Sequence, residues 1–410
     1  MSDKIAADAA VVIVGAGLGG VRLAENLRAG GHAGPVVMIG AEPHPPYDRP
    51  PLSKTVLTDA SGRVDLKPGE FYADSAIELR TGEHVDALDT ASKTITVSRA
   101  DGSSYQQAYG ALVLATGLLP RAFPGTQDVA GVFTLRTFDD AEKLRRAVGA
   151  GPNGSAVVIG AGSIGCETAA SLHTLGLSVT LVEPAPTPLA QAVGTEIGAL
   201  VTRQHTERGV TVRAGIGVDE IVTGEGGRRV TGVRLADGEL LPAGLVVVGI
   251  GSTPVVGFLD GSGVELASRE VGGGVACNEV GRTSADGVYA LGDVANWRDH
   301  GGTQRRAEHW NHTVEQAAIV AAALLGTDHA VVPAVPYFWS DQYDLKIQVL
   351  GWPKPDDDVQ VVSDDGHKWL AYFSRDGMLT AVAGAGKVGA VMKMRPKLLT
   401  PTPIVDVLPG

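Results

Sequence analysis

Only two cysteines, Cys166 and Cys277, occur in 410 residues, and they are too far apart for a CxxC or CxxxxC pair. A dithiol relay carried by neighbouring cysteines is therefore absent. No apolar run approaches the roughly 18 residues that cross a bilayer. The opening MSDKIAADAA has no basic stretch followed by an apolar one, so the expected location is the cytoplasm. Positive charge is also short: the formal net charge is -12 and the pI near 5.3, which argues against nucleic acid or an anionic membrane as main partner. Aromatics make up only 5% against 44% hydrophobic residues overall, the balance of a globular α/β protein rich in Val and Ala strands. The length exceeds one compact core, and two or three domains are expected.

What the chain does have is a duplication. Ala10–Val14 (AVVIV) reads as a strand, followed by the turn Gly15-Ala-Gly17-Leu18-Gly-Gly20 and a helical VRLAENLRAGG closed by glycines. The same order returns as AVVI, Gly160-Ala-Gly162-Ser163-Ile164-Gly165, and CETAASLHTLG. Each copy leads to a second strand ending near an acid, Glu42 after VVMIGA and Glu183 after SVTLV. The first glycine of such a motif permits the tight turn, the second lets backbone approach a pyrophosphate, and the third lets helix pack on strand. The helix N-terminus faces the phosphates and the acid accepts from ribose hydroxyls. The repeat extends further. Arg99-Ala-Asp101-Gly102 precedes the strand ALVLATG ending at Gly117, and Leu235-Ala-Asp237-Gly238 precedes LVVVGIG ending at Gly251. Each unit is thus expected to be a parallel sheet with a hairpin layer. Two dinucleotides in one protein point to one that stays and one that visits, and a flavin with a nicotinamide is the natural pair for hydride transfer.

Seven segments in order (GAGLGG, YDRPPLSK, ATGLLPR, GAGSIGCETAA, YALGDVA, EHWNHTVEQA and YFWSDQYDLKIQVLG) make the chain resemble flavoprotein reductases of the ferredoxin–NAD reductase type, the putidaredoxin and rhodocoxin reductase group. Apoptosis-inducing factor and the wider disulfide-reductase superfamily are more distantly similar. The resemblance implies an α/β fold of two tandem Rossmann-like domains, glutathione-reductase-like, with a C-terminal α+β interface domain. The expected boundaries are 1–118 with 247–327 for FAD, 119–246 for NAD, and 328–410 for the interface domain. It implies an FAD set of Gly15, Gly17, Leu18, Gly20, Glu42, Ala115, Thr116, Gly117, Gly292, Asp293 and Trp310, joined by Arg49, Pro51, Lys54 and Arg121. Asp293, expected to open a helix, would meet the ribityl chain, Glu42 the adenosine ribose, and Arg121 or Arg49 the phosphates; surface ion pairs are the competing reading for both arginines. The NAD set is Gly160, Gly162, Ser163, Ile164, Gly165, Glu167, Glu183 and Gly251. No Arg or Lys follows Glu183 until Arg203, so nothing nearby favours a 2'-phosphate and NADH is expected over NADPH.

Pro50 and Pro51 fix φ and lack an N–H, making a stiff approach to a helix with Leu52, Val56 and Leu57 on its inner side. The resemblance places Lys54 beside the flavin, paired with Glu167, the two expected catalytic residues. An exposed lysine on a solvated helix is the alternative. Trp310 would pack near the flavin at a helix start, against a plain core role. His309 and His312 lack a third ligand, and no metal is expected.

With no thiol in PPLSKTVL, and Cys166 and Cys277 expected as small packing residues in the second glycine turn and a glycine-rich loop, the expected acceptor is a one-electron iron-sulfur protein. The resemblance implies a [2Fe-2S] ferredoxin serving a cytochrome P450 or ring-hydroxylating oxygenase. Reduction of quinones or other small oxidants, and a redox-sensing binding role like that of apoptosis-inducing factor, are the alternatives. Candidate docking residues are Arg305 and Arg306 with Arg298, Trp339, and the acid-free run Lys387, Lys393, Arg395 and Lys397. A solvated basic tail is the competing reading of that run. After LTAVAG the chain departs from the family with AGKVGAVMKMRPKLL.

Overall fold

The computed structural model describes residues 4–59, 62–150, 154–298, 302–327 and 335–408. The chain divides into two compact units. The first comprises residues 1–48, 63–119 and 252–332, the second 49–62, 120–251 and 333–410. Residue 328, the expected start of a C-terminal domain, lies outside the described residues.

The first unit is built on five parallel strands in the order Val288–Ala290, Ala111–Leu114, Val11–Val14, Val36–Gly40, Ile77–Thr81. Val11–Val14 is buried at all four positions, as a central parallel strand covered on both faces requires. Its Val11 lies opposite both Val36 and Ala111. The helices Leu18–Ala29 and Trp310–Leu325 pack together on this core, and Gly30 ends the first of them. An antiparallel layer, Glu83–Asp89, Thr94–Arg99 and Ser104–Ala108, alternates buried and open positions, with the Asp101–Gly102 turn joining its last two strands.

The second unit repeats this plan. Its parallel order is Thr211–Ala214, Ser178–Glu183, Ser155–Ile159, Leu245–Val248, Val132–Phe133, with the antiparallel layer Val218–Thr223, Val230–Leu235, Leu240–Pro242. The same unit carries a five-stranded antiparallel sheet ordered Tyr337–Gln342, Leu345–Gly351, Met378–Ala385, Trp369–Arg375, Asp358–Asp364. Trp369 and Phe373 are among its fully buried side chains. The divergent AGKVGAVMKMRPKLL segment forms two short helices, Val388–Lys393 and Arg395–Leu398.

Two expectations are corrected. Asp293 does not open a helix: Gly292–Val294 is a single 3-10 turn that runs into the strand Ala295–Arg298. The strand wins because it pairs with both Val275–Cys277 and Gln304–Arg306, and because buried Asn296 donates to the carbonyls of Val271 and Gly273. For the same reason Cys277 is on a buried strand and not in a loop. No helix among the described residues is long and apolar enough to cross a membrane.

Candidate active site

The first glycine turn is shaped by two close approaches and one gap. Gly15 has φ +116, and a Cβ on it would lie 2.2 Å from the Ala115 carbonyl oxygen. A Cβ on Gly20 would lie 2.2 Å from the Gly15 oxygen, whereas one on Gly17 would meet nothing within 4 Å. Gly15 and Gly20 are thus required by the protein itself, and Gly17 borders open space at the start of the helix that Leu18 begins. Such a cradle, with no side-chain cap on the helix start and no acidic residue in its first turn, fits a pyrophosphate. Around it in the same unit, Ala115 N–H donates to Val14 O, and Thr116 Oγ1 donates to Val255 O at 2.8 Å. Gly117 has φ +69. Glu42 accepts a hydrogen bond from Tyr47. Gly292, φ +73, donates its N–H to Gln316 Oε1 at 2.7 Å, fixing the turn that carries Asp293. Trp310 is the first residue of its helix and its indole N–H donates to Asp48 Oδ1 at 3.0 Å.

The second turn reproduces the first. Gly160 has φ +94, its Cβ would lie 2.2 Å from Gly249 O, that of Gly165 1.9 Å from Gly160 O, and that of Gly162 would be free of contacts within 4 Å. Ser163 and Ile164 open the helix Ser163–Thr174, and Ile164 is exposed. Glu183 accepts from Ala161 N–H at 2.6 Å and from Ala185 N–H at 2.9 Å, so its carboxylate is anchored at the mouth of this cradle. Gly251 accepts the Arg121 N–H at 2.9 Å. A fixed carboxylate there repels a 2'-phosphate, and kcat/KM is expected to favour NADH over NADPH by at least about 10²-fold. Steady-state rates with the two cofactors check this, and a preference for NADPH refutes it.

Lys54 and Glu167 meet within the second unit. Pro50–Ser53 forms a 3-10 turn and Thr55–Thr58 a short helix, with Leu52, Val56 and Leu57 buried beneath them and Lys54 at the junction. Lys54 Nζ lies 3.1 Å from Glu167 Oε1 on the helix Ser163–Thr174 and 3.6 Å from Asp341 Oδ2. Glu167 also accepts from Ser53 Oγ at 2.5 Å, Ser340 Oγ at 2.8 Å and Asp341 N–H at 3.2 Å. Burial pushes the Glu167 carboxyl above its usual range, against the opposing pull of Lys54 and the two serines. A buried carboxylate so crowded with donors, one of them cationic, can remain charged. Arg49, just ahead of Pro51, donates to the Arg136 carbonyl at 2.7 Å. Ser53, Asp48, Gln316, Ser340 and Asp341 are not among the expected site residues, although all five lie inside the YDRPPLSK, EHWNHTVEQA and YFWSDQYDLKIQVLG segments that mark the chain.

Burial raises the thiol pKa of both Cys166 and Cys277 far above the usual value. Neither has the thiolate character a relay needs. His309 is half-buried, and desolvation pushes its pKa down to about 4, while His312 pairs with Gln316. No group of three or more metal ligands occurs among the described residues. Of the candidate docking residues, Arg305 and Arg306 share the strand Gln304–Arg306. Arg306 is engaged by Gly272 O, Asp293 O and Glu308. Trp339 stacks on Tyr337 at 5.8 Å with Lys346 over its ring, Arg395 lies over Tyr337, and Lys393 is exposed. Lys387 is 3.7 Å from Asp365.

Residues 9–317 match the family described as pyridine nucleotide-disulphide oxidoreductase, and residues 337–403 match the reductase C-terminal family. The chain belongs to the first of these, in its ferredoxin reductase branch. It is 37% identical to a ferredoxin–NAD(P)(+) reductase of a Sphingomonas species over 91% of this chain and 88% of that protein. Rhodocoxin reductase of Rhodococcus erythropolis is 35% identical, over 83% and 78%. Among solved structures, the covalent putidaredoxin reductase–putidaredoxin complex matches with a TM-score of 0.88 at 31% identity, covering 96% of this chain and 94% of that one. The ferredoxin reductase for the CYP199A2 system of Rhodopseudomonas palustris matches at 0.87 with 33% identity, covering 96% of each. The chain is accordingly an α/β oxidoreductase that uses FAD and NAD(H).

Proposed function

We propose that this chain is the reductase of an oxygenase electron-transfer system, passing electrons from NADH to a [2Fe-2S] ferredoxin that serves a cytochrome P450 or ring-hydroxylating oxygenase, in the cytoplasm. In this reading residues 1–118 with 247–327 hold FAD and 119–246 hold NADH. FAD held there would supply the chemistry that links a two-electron hydride donor to a one-electron acceptor. The chain's own residues do the rest. The Gly15–Gly20 and Gly160–Gly165 turns hold the pyrophosphates, Glu183 selects the unphosphorylated ribose, and Lys54 with Glu167 orients the nicotinamide and supplies a positive charge where reduced flavin is anionic. Asp293 and Glu42 hold the ribityl and ribose groups, and Arg49 and Arg121 the phosphates.

The observation that carries this reading is the Lys54–Glu167 pair at 3.1 Å in a protein whose two thiols are buried and far from ionising. Electrons that arrive in pairs then have no sulfur relay to leave by, and a one-electron acceptor fits. In the second unit, Lys387, Lys393 and Arg395, with Trp339, are the residues on which an acidic ferredoxin would dock.

NADH-driven reduction of a panel of purified ferredoxins, read by cytochrome c reduction with and without each ferredoxin, tests the proposal. At least one is expected to accelerate turnover strongly. Raising ionic strength from roughly 0.05 to 0.5 M is then expected to lower the ferredoxin kcat/KM about tenfold. Turnover that is as fast with a quinone alone and indifferent to every ferredoxin refutes it.

A further inference from the structure

The four donors around Glu167 are distributed unevenly. Oε1 receives Lys54 Nζ, Ser340 Oγ and the Asp341 N–H, whereas Oε2 receives only Ser53 Oγ. A carboxylate oxygen has about two good acceptor positions, so Oε1 is saturated and Oε2 has one left. Two of these donors come from one strand, Tyr337–Gln342, where Ser340 is wholly buried. The next residue reaches the same centre with its side chain: Asp341 Oδ2 is 3.6 Å from Lys54 Nζ and Oδ1 is 2.5 Å from Lys346 Nζ, directly opposite in the hairpin. Gln342, also buried, donates to Ser340 Oγ at 3.1 Å, which leaves the hydroxyl hydrogen directed at Glu167. Below, Ser171 Oγ donates to the Ser53 carbonyl at 2.6 Å and ties the proline turn to the helix bearing Glu167.

We propose that Ser340 and Asp341 are positioning residues for flavin reduction by NADH, holding Glu167 in one ionised rotamer and Lys54 between two carboxylates. This rests on the reading of Lys54 and Glu167 as the pair that orients the nicotinamide. The reason is electrostatic. Glu167 is buried and its carboxyl is pushed upward by that burial, so its charge at neutral pH depends on the donors it keeps. The ionisable groups facing it are Lys54 from the proline turn, Asp341 from the strand, and Cys166 on its own helix, whose thiol stays protonated. Losing the Ser340 hydroxyl removes one hydrogen bond to the charged form, which is worth about one pH unit. The sign follows: Glu167 then loses its charge at a higher pH, and the acid limb of the reduction rate moves up.

Stopped-flow reduction of the FAD-loaded protein by NADH, followed across pH, provides the test. Ser340→Ala is expected to slow reduction about tenfold at pH 7 and to shift the acid limb upward by about one unit, with flavin content unchanged and Ser340→Thr restoring both. In a Glu167→Gln background the same substitution is expected to add nothing. Asp341→Asn, at a partly exposed position, is expected to slow reduction about threefold. Wild-type rates and an unmoved limb in Ser340→Ala, or an effect that adds fully to Glu167→Gln, overturn the inference while leaving the proposed function intact. Failure of NADH to reduce the wild-type flavin overturns the reading beneath it instead.

Discussion

Lys54→Ala is expected to slow flavin reduction by NADH about 10²-fold while FAD stays bound, the scale of loss when a positioning contact at a hydride donor is removed. The flavin is expected to remain because its cradle, the Gly15–Gly20 turn, makes no use of Lys54. Stability carries a second signature. Glu167 is buried with its carboxyl already raised above the unfolded value of 4.5, chiefly by desolvation, and Lys54 is the first group opposing that rise. Without Lys54 the carboxyl rises further. A carboxyl whose folded pKa exceeds its unfolded one binds more protons in the native state, so its contribution to stability is full below the unfolded pKa and is lost as pH rises through the folded one. The variant is therefore expected to lose melting temperature more steeply than wild type as pH rises above the unfolded carboxyl value, approaching the ~3–5 kcal/mol cost of a buried charge left without its partner. Melting curves at several pH values and stopped-flow traces together test this. Reduction at the wild-type rate rejects the role of Lys54, and a melting temperature that is flat with pH rejects the electrostatic account.

The duplication was legible because its rules are local. Short β-branched strands, glycines at fixed offsets and Asp-Gly turns each constrain a few neighbouring residues, and both parallel sheets with their antiparallel layers follow from them. The segment after Tyr289-Ala-Leu291 was misread for a non-local reason. A lone acid after a glycine resembles a helix start, but the next residues are claimed by two partner strands and by Asn296 bonding to Val271 and Gly273, which sequence spacing does not reveal. The shell around Glu167 was hidden in the same way. Ser53 and Ser340 are 287 positions apart and look like any other serines until the fold brings both hydroxyls to one carboxylate. Asp48 and Gln316 likewise acquire meaning only through Trp310 and Gly292.

Gly17→Val is expected to yield a folded protein that has lost its flavin, with FAD retention down by more than about 10²-fold, whereas Gly20→Ala is expected to damage the fold itself. Gly17 has φ -96 and ψ -165, an extended backbone open to any residue, and its Cβ would touch no protein atom within 4 Å. The side chain would instead fill the space a pyrophosphate needs. At Gly20 the added carbon would lie 2.2 Å from the Gly15 oxygen, a backbone atom that can yield only by moving the strand it ends. The second cradle offers the control, since Gly162 is as open as Gly17 and Gly165 as crowded as Gly20. Gly162→Val is expected to keep the flavin and its visible absorbance but to raise the KM for NADH by about 10²-fold. Visible spectra, thermal melts and NADH titrations separate the two cradles. If Gly17→Val keeps its flavin while Gly162→Val loses it, the assignment of FAD to the first cradle and NADH to the second is reversed; if neither change touches either nucleotide, the glycine turns are structural and the dinucleotides bind elsewhere.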